Sequence, residues 1–332
     1  MAEIAKIKSL KTLFLFFFLT WIFLIMPLVL EGQNNEIQNF ISSNIPVDNQ
    51  NWEIYQNPVN GYIYFANSAG LIEYNGITSR IYKMPFGQGI RSVYINSSGL
   101  IYTGSFEDFG YWESEPEKGL VYHSLTQNIK IPENDEIWNT YENDGSIYFQ
   151  SFTTIYKYDK KAVTLIPGPS NMLFMLEAGD KYIVQALGLG LYWFDGNNFS
   201  FINGSELFGT VKVHSIVYRG HGVLWICTAN NGIYVYDGRS ITFQKSQISE
   251  FLKTEICNAS IAINDSMIVF GTILRGIVVC DQNGRINKLF NYANGLKNNT
   301  VLSLYKDSGS GLWVGLDDGA DYINLSSPVK DV

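Results

Sequence analysis

The 332-residue chain is short of cysteine, histidine and charge. Its three cysteines, Cys227, Cys257 and Cys280, are an odd number and cannot all pair within the chain. Their spacings match no zinc ligand pattern, and the three histidines, His123, His214 and His221, are not arranged with them. No metal site is expected. The thiols read as small buried hydrophobes, although a Cys257–Cys280 disulfide is compatible with an exported chain. Charged residues make up only 16%, with a formal charge of −8 and no block of one sign. An acidic surface repels phosphate backbones, so no nucleic-acid partner is expected. Nucleophile elbows, Gly-rich phosphate loops opening a helix and His-Glu metal motifs are all missing. "GLGL" at Gly188 lies between two apolar runs and reads as a bulge or turn. "DDGAD" at Asp317 misses calcium-loop spacing. Glu107 and Asp108 are strand neighbours, whose side chains point apart. No catalytic residue, enzyme activity or cofactor is therefore expected.

What the chain has instead is aromatic and glycine-rich. Tyr and Phe number 21 each and Gly 30. Aromatic residues pack well on a pleated surface, and glycine suits many tight turns. The start stands apart. Lys6, Lys8 and Lys11 lead into "TLFLFFFLTWIFLIMPLVL", Thr12 to Leu30, which carries no charge, before the polar "EGQNNEIQ". A basic start followed by an apolar run is the pattern of a secretory signal. Nineteen apolar residues also suffice to cross a bilayer about 30 Å thick. Residues 1–32 are thus read as a signal peptide or an uncleaved anchor, which would be the chain's one contact with a membrane. A mature start near Gln33 and a location outside the cytoplasm are expected.

The rest repeats itself. A central apolar pair recurs seven times, anchored at Tyr64, Tyr102, Tyr148, Ile183, Trp225, Ile268 and Trp313, at intervals of 38, 46, 35, 42, 43 and 45 residues. That spacing fits a four-stranded propeller blade of about 40–45 residues. Within a unit, "IRSVYIN", "LIYTGS", "FGYWES" and "LVYHSL" read as four successive strands. Turns such as "SSG" at Ser97 and "NDGS" at Asn143 tolerate positive φ. The expectation is an all-β, seven-bladed propeller of four-stranded antiparallel blades over 33–332. Its units lie near 51–85, 89–126, 136–168, 171–205, 213–247, 255–291 and 299–324. One blade cannot bury both faces of its sheet, so the copies must stack in a ring. The seventh unit is one strand short, and Ile37 to Ile41 are expected to supply it beside Ala320 to Asn324.

In each blade the first strand starts, and the second ends, on one face of the ring. From the first-strand starts that face collects Trp52, Arg91, Trp138 and His214. From the loops after the second strands it collects Asn67, Glu107, Asp108, Phe152, Asn230, Arg275 and Asp317. Aromatic rings mixed with amide, acid and guanidinium groups suit a polar small molecule with apolar faces, such as an oligosaccharide.

"NGLKNNTVLSLYKDSGSGLWVGLDDG" and "VHSIVYRGHGVLWICTANNGIYVYDG" resemble the regulator-propeller repeat of the periplasmic sensor regions of bacterial two-component regulators, including hybrid histidine kinases. "NQNWEIYQNPVNGYIYFANSAGLIEYNG" with "RSVYINSSGLIYTGSFEDFGYWE" is similar to the start of a group of Bacteroidetes regulators. Those pair a propeller with a small three-Tyr β-domain, a membrane helix and a cytoplasmic signalling or DNA-binding end. The resemblance covers residues 33 to 332 and implies a ligand-sensing role on the outer side of the inner membrane, compatible with a homodimer. No residues here match the three-Tyr, membrane or output parts, so those functions are not carried over. The chain reads as part of a longer receptor or as a stand-alone propeller. Two rivals remain: a secreted propeller enzyme, such as a polysaccharide or cyclic-peptide lyase, and a protein-binding scaffold. Such an enzyme would present a His with a carboxylate or a metal at the channel mouth, and His214 is the only His placed there.

Overall fold

The structure is a computed structural model that describes residues 37–40 and 50–325. The candidate signal or anchor, residues 1–32, and the expected strand end Ile41 lie outside the described residues. Seven four-stranded antiparallel sheets follow one another around a ring. Six consist of consecutive strands. The seventh joins Val301–Lys306, Gly311–Leu316 and Ala320–Asn324 to the N-terminal strand Ile37–Phe40. That strand pairs Ile37 with Ile323 and Phe40 with Ala320, so the two ends of the described chain share one sheet. This pairing removes the open edge that an incomplete last blade would present.

The core has no single centre. Among the described residues the buried apolar side chains form seven clusters, and each is shared by two adjacent blades. The second strand of a blade is packed on both faces. Ile63–Asn67, Ile101–Ser105, Ser146–Gln150 and Leu224–Thr228 are buried at every residue. These strands therefore carry consecutive apolar residues rather than an alternation. The outer strands are half exposed, as in Val163–Pro167. Each fully buried large side chain contributes about 1.5–3 kcal/mol. Part of every cluster comes from the neighbouring wedge, so a lone blade has nothing to fold against.

Neighbouring blades approach closely where the second strand carries a small residue. A Cβ on Gly315 would strike the carbonyl oxygen of Asn51 in blade 1, and one on Gly271 would strike Val301 in blade 7. The third and fourth strands are joined by a repeated turn. Asn75, Asp159, Asp195, Asp237 and Asp281 each accept two backbone N–H bonds from residues two to four positions on. These bonds hold the four carboxyls below their ordinary range.

Two details depart from the sequence reading. An α-helix, Gln247–Glu255, connects blades 5 and 6. It is capped by Ser246, whose side chain accepts from the Ser249 N–H, and it drives Ile248 and Leu252 into the cluster between those blades. In the sixth unit the residue equivalent to the other anchors is Val269, paired with Ile261, one position after Ile268. All three cysteines are free and buried.

Candidate functional site

The innermost strands of the seven blades wall a central channel with a cavity of about 670 Å³. One residue from each blade stands at one end of it: Trp52, Arg91, Trp138, Phe174, His214, Asn258 and Leu302. A shared backbone device aims them. In six blades the pairing of first and second strand slips by one residue at this place, between Asn51 and Glu53, Ile90 and Ser92, Met172 and Met175, Val213 and Ser215, Cys257 and Ala259, and Val301 and Ser303. A bulge of this kind frees one residue from the ladder and re-aims its side chain. In blade 3 Trp138 instead precedes the strand Asn139–Asn143, its N–H bonded to the Gln150 carbonyl at 2.9 Å.

The rings at this mouth touch in series. Trp52 meets Trp138 edge to face at 5.7 Å, Trp138 meets Phe174 at 6.5 Å, and Phe174 meets His214 at 5.8 Å. Phe152 stacks behind Trp138 at 5.5 Å. Arg91 is held within this frame. Its guanidinium carbon lies 4.3 Å from the Trp52 ring centroid and 5.3 Å from that of Trp138, and Nη2 donates to Glu136 at 3.2 Å. Each cation–π contact is worth about 0.5–2 kcal/mol. The Trp52 indole N–H is spent on Ser68 Oγ at 2.9 Å. The Trp138 indole N–H and His214 Nδ1 are buried atoms without a hydrogen-bond partner. Burial and then the nearby Lys212 charge lower the His214 pKa, against an opposing pull from Asn258, so the ring is neutral at pH 7.

Further along the channel the chemistry changes. Glu53, Tyr55, Tyr94, Tyr141, Glu177, Tyr218 and Tyr305 line this part. Burial, with a smaller contribution from the Glu177 charge, pushes the Glu53 carboxyl up to about 8, against the N–H of Val93, which donates to Oε2 at 2.7 Å. Glu177 is raised by burial as well. Tyr55 packs on Tyr94 and on Tyr305, each at 5.3 Å. Burial raises the phenols of Tyr55, Tyr94 and Tyr141 well above their ordinary value.

The residues singled out in the sequence divide cleanly. The four from the strand starts, Trp52, Arg91, Trp138 and His214, line the cavity together. Phe152 stands just behind Trp138. The other loop residues lie away from the cavity wall. Asn67 is buried and bonds Gln50, Asn51 and Ala69. Asp108 is buried and accepts from the Ser124 and Thr126 hydroxyls. Glu107 accepts from the Asn134 N–H, and Asp317 from the Gln50 amide. Arg275 faces Glu255 at 3.4 Å, and Asn230 is exposed in a turn. Glu53, Phe174, Glu177 and Asn258 were not singled out from the sequence, although the bulge register that aims Trp52 also aims Phe174 and Asn258. Among the described residues no group of three His, Cys, Asp or Glu could hold a metal ion.

No family model and no curated protein matches the chain. Solved structures do. The extracellular domain assigned to the one-component system BT4673 of B. thetaiotaomicron superposes with a TM-score of 0.68 at 15% identity, covering 88% of this chain and 40% of that one. The extracellular domain assigned to the hybrid two-component system BT3049 of the same organism gives 0.63 at 18%, over 87% and 42%. Virginiamycin B lyase from Staphylococcus aureus gives 0.66 at 14%, over 87% and 99%. These likenesses show the fold. They extend over sensor domains and a lyase alike, and the chain spans about two fifths of the length of the sensor domains it matches.

Proposed function

We propose that this chain is the extracytoplasmic ligand-sensing propeller of a bacterial signal-transduction regulator, and that it binds a polar small molecule at the channel mouth without transforming it. The observation that carries this reading is the prebuilt aromatic frame around Arg91, with the Trp138 N–H and His214 Nδ1 left unpartnered beside it. A buried polar group without a partner costs about 1–3 kcal/mol, which a ligand that supplies the partner recovers. The fold likeness to extracellular domains of bacterial sensors and the basic, apolar start of the sequence support a place outside the cytoplasm. An oligosaccharide is one class that would stack on such rings.

The likeness to virginiamycin B lyase favours a second reading, an enzyme working at the same mouth. It finds less support in the side chains. His214 is the one histidine there, and Glu136, which bonds Arg91, is engaged.

The test is Trp138→Ala with Trp138→Phe. If the mouth holds the ligand, the alanine variant binds about 1–3 kcal/mol more weakly, as for an aromatic anchor. The phenylalanine variant recovers the stacking share and not the N–H share. A folded Trp138→Ala protein with unchanged affinity refutes the assignment.

A further inference from the structure

The channel is polar in the electrical sense, and this bears on what fits it. Arg91, at the mouth, is the one Lys or Arg among the described residues that line the cavity. The Trp138 indole N–H beside it has no acceptor. Together they offer donors to an anionic group, since only one guanidinium N–H bond, to Glu136, is taken. Further along the channel stand acidic groups. Glu53 and Glu177 face the same space among tyrosine rings, and burial, with a smaller contribution from the Glu177 charge, raises Glu53. A cation placed beside these carboxyls favours their ionised form, and the tyrosine faces attract it.

The separation of the two ends follows from the strands. Phe174 stands in the mouth ring, and Glu177 lies three residues further along the same strand. At about 3.3 Å per residue this sets Glu177 about 10 Å below the mouth, whereas Glu53 lies one residue past Trp52. An extended chain of three residues spans at most ~10–11 Å.

We propose that the ligand is zwitterionic, with the geometry of an extended tripeptide whose C-terminal carboxylate meets Arg91 and Trp138 and whose N-terminal ammonium meets Glu177. This rests on the reading of the mouth as a ligand site and adds the ligand's charge pattern to it. The cavity volume lies within the usual range for small-molecule sites, about 300–1,000 Å³. A neutral oligosaccharide would use the aromatic mouth and leave Glu177 unmet.

Calorimetry on the full chain with trialanine, N-acetyl-trialanine, trialanine amide and maltotriose tests the inference. Trialanine is expected to bind, and blocking either terminus to weaken binding tenfold or more. In Glu177→Gln, a conservative change, the penalty for N-acetylation should shrink at least threefold. Blocked and free peptides binding alike, or an unchanged acetylation penalty in Glu177→Gln, overturns the inference. Maltotriose binding that Trp138→Ala abolishes, with no peptide binding, overturns it while keeping the mouth as a ligand site. No binding of any of the four also overturns it, and leaves the mouth assignment to the Trp138 variants with other ligands.

Discussion

Glu53 is the residue whose chemistry departs furthest from habit. Its carboxyl is pushed from an ordinary 4.5 up to about 8 by burial, so the folded chain keeps a proton that the unfolded chain has already lost. Between those two values the unfolded state binds fewer protons, and stability must fall as pH rises, by at most about 1.4 kcal/mol per pH unit. Below 4.5 and above 8 this group makes no further difference. Glu53→Gln keeps an acceptor for the Val93 N–H and abolishes the titration. Melting curves at several pH values should show the variant matching wild type in acid and exceeding it at alkaline pH. A variant that is less stable at every pH contradicts the assignment. Asp237 has the opposite sign. Two backbone N–H groups hold its carboxyl below 3.8, so its stabilisation is present above that value and disappears as pH falls through the lowered one. Asp237→Ala should lower the melting temperature at neutral pH, and the difference should shrink in acid. A third test is Gly315, where an added Cβ meets the Asn51 carbonyl oxygen and the Ser303 hydroxyl. Gly315→Ala should cost about 1–3 kcal/mol by denaturant unfolding.

At the scale of the element, the bulge that opens six of the seven inner strands decides how much of the site could be read in advance. Strand alternation places every second residue on one face, and that rule picks out Trp52 or Glu53 but not both. The slip between Asn51 and Glu53 gives the channel two consecutive residues, and so Glu53 escapes a period-2 reading. Glu177 escapes it too, since Leu176 and Glu177 both line the channel. The strand-start residues Trp52, Arg91, Trp138 and His214 were legible because strand direction alone fixes which end of the ring they occupy. The loop residues were not. Whether Asn67 or Asp108 faces a ligand depends on local capping bonds, and both spend their polar atoms on their own blade. The helix Gln247–Glu255 was illegible for a different reason. It is nine residues long, and tertiary insertion of Ile248 and Leu252 holds it rather than its own periodicity. The N-terminal strand carries a prediction of its own. Phe40 packs on Tyr74 at 4.4 Å and on Trp313 at 5.9 Å, and Asn39 bonds Asp321 and the Gly295 carbonyl. Phe40→Ala should destabilise by about 2–4 kcal/mol, below the full core value because the ring is half-buried. Deleting residues 37–40 should expose the edge of Ala320–Asn324 and produce oligomers in size-exclusion chromatography. A deletion variant that stays monomeric with an unchanged melting temperature contradicts the role of this strand as a clasp.

At the scale of the whole molecule, a ring of wedges explains why seven unremarkable repeats surround one chemically distinctive channel. The interfaces between blades take apolar side chains and differ little from one another. The axis is where all seven first strands converge, and there the repeats cease to be alike: Trp, Arg, Trp, Phe, His, Asn and Leu at one level. Repetition in the wall with variation at the axis is what a scaffold carrying a single binding site requires, and nothing about it demands chemistry. Sensor domains and a lyase share this fold, so the fold is silent on that choice and the side chains at the mouth must decide it. The central claim is that the channel binds its ligand and releases it unchanged. Native mass spectrometry on the chain, incubated with a mixture of short peptides and oligosaccharides, tests it most directly. The account predicts one bound molecule per chain, lost in Trp138→Ala, whose mass after denaturation and hours of incubation equals that of the compound supplied. A bound or released species of altered mass, disappearing in His214→Ala, would mean that the propeller is an enzyme.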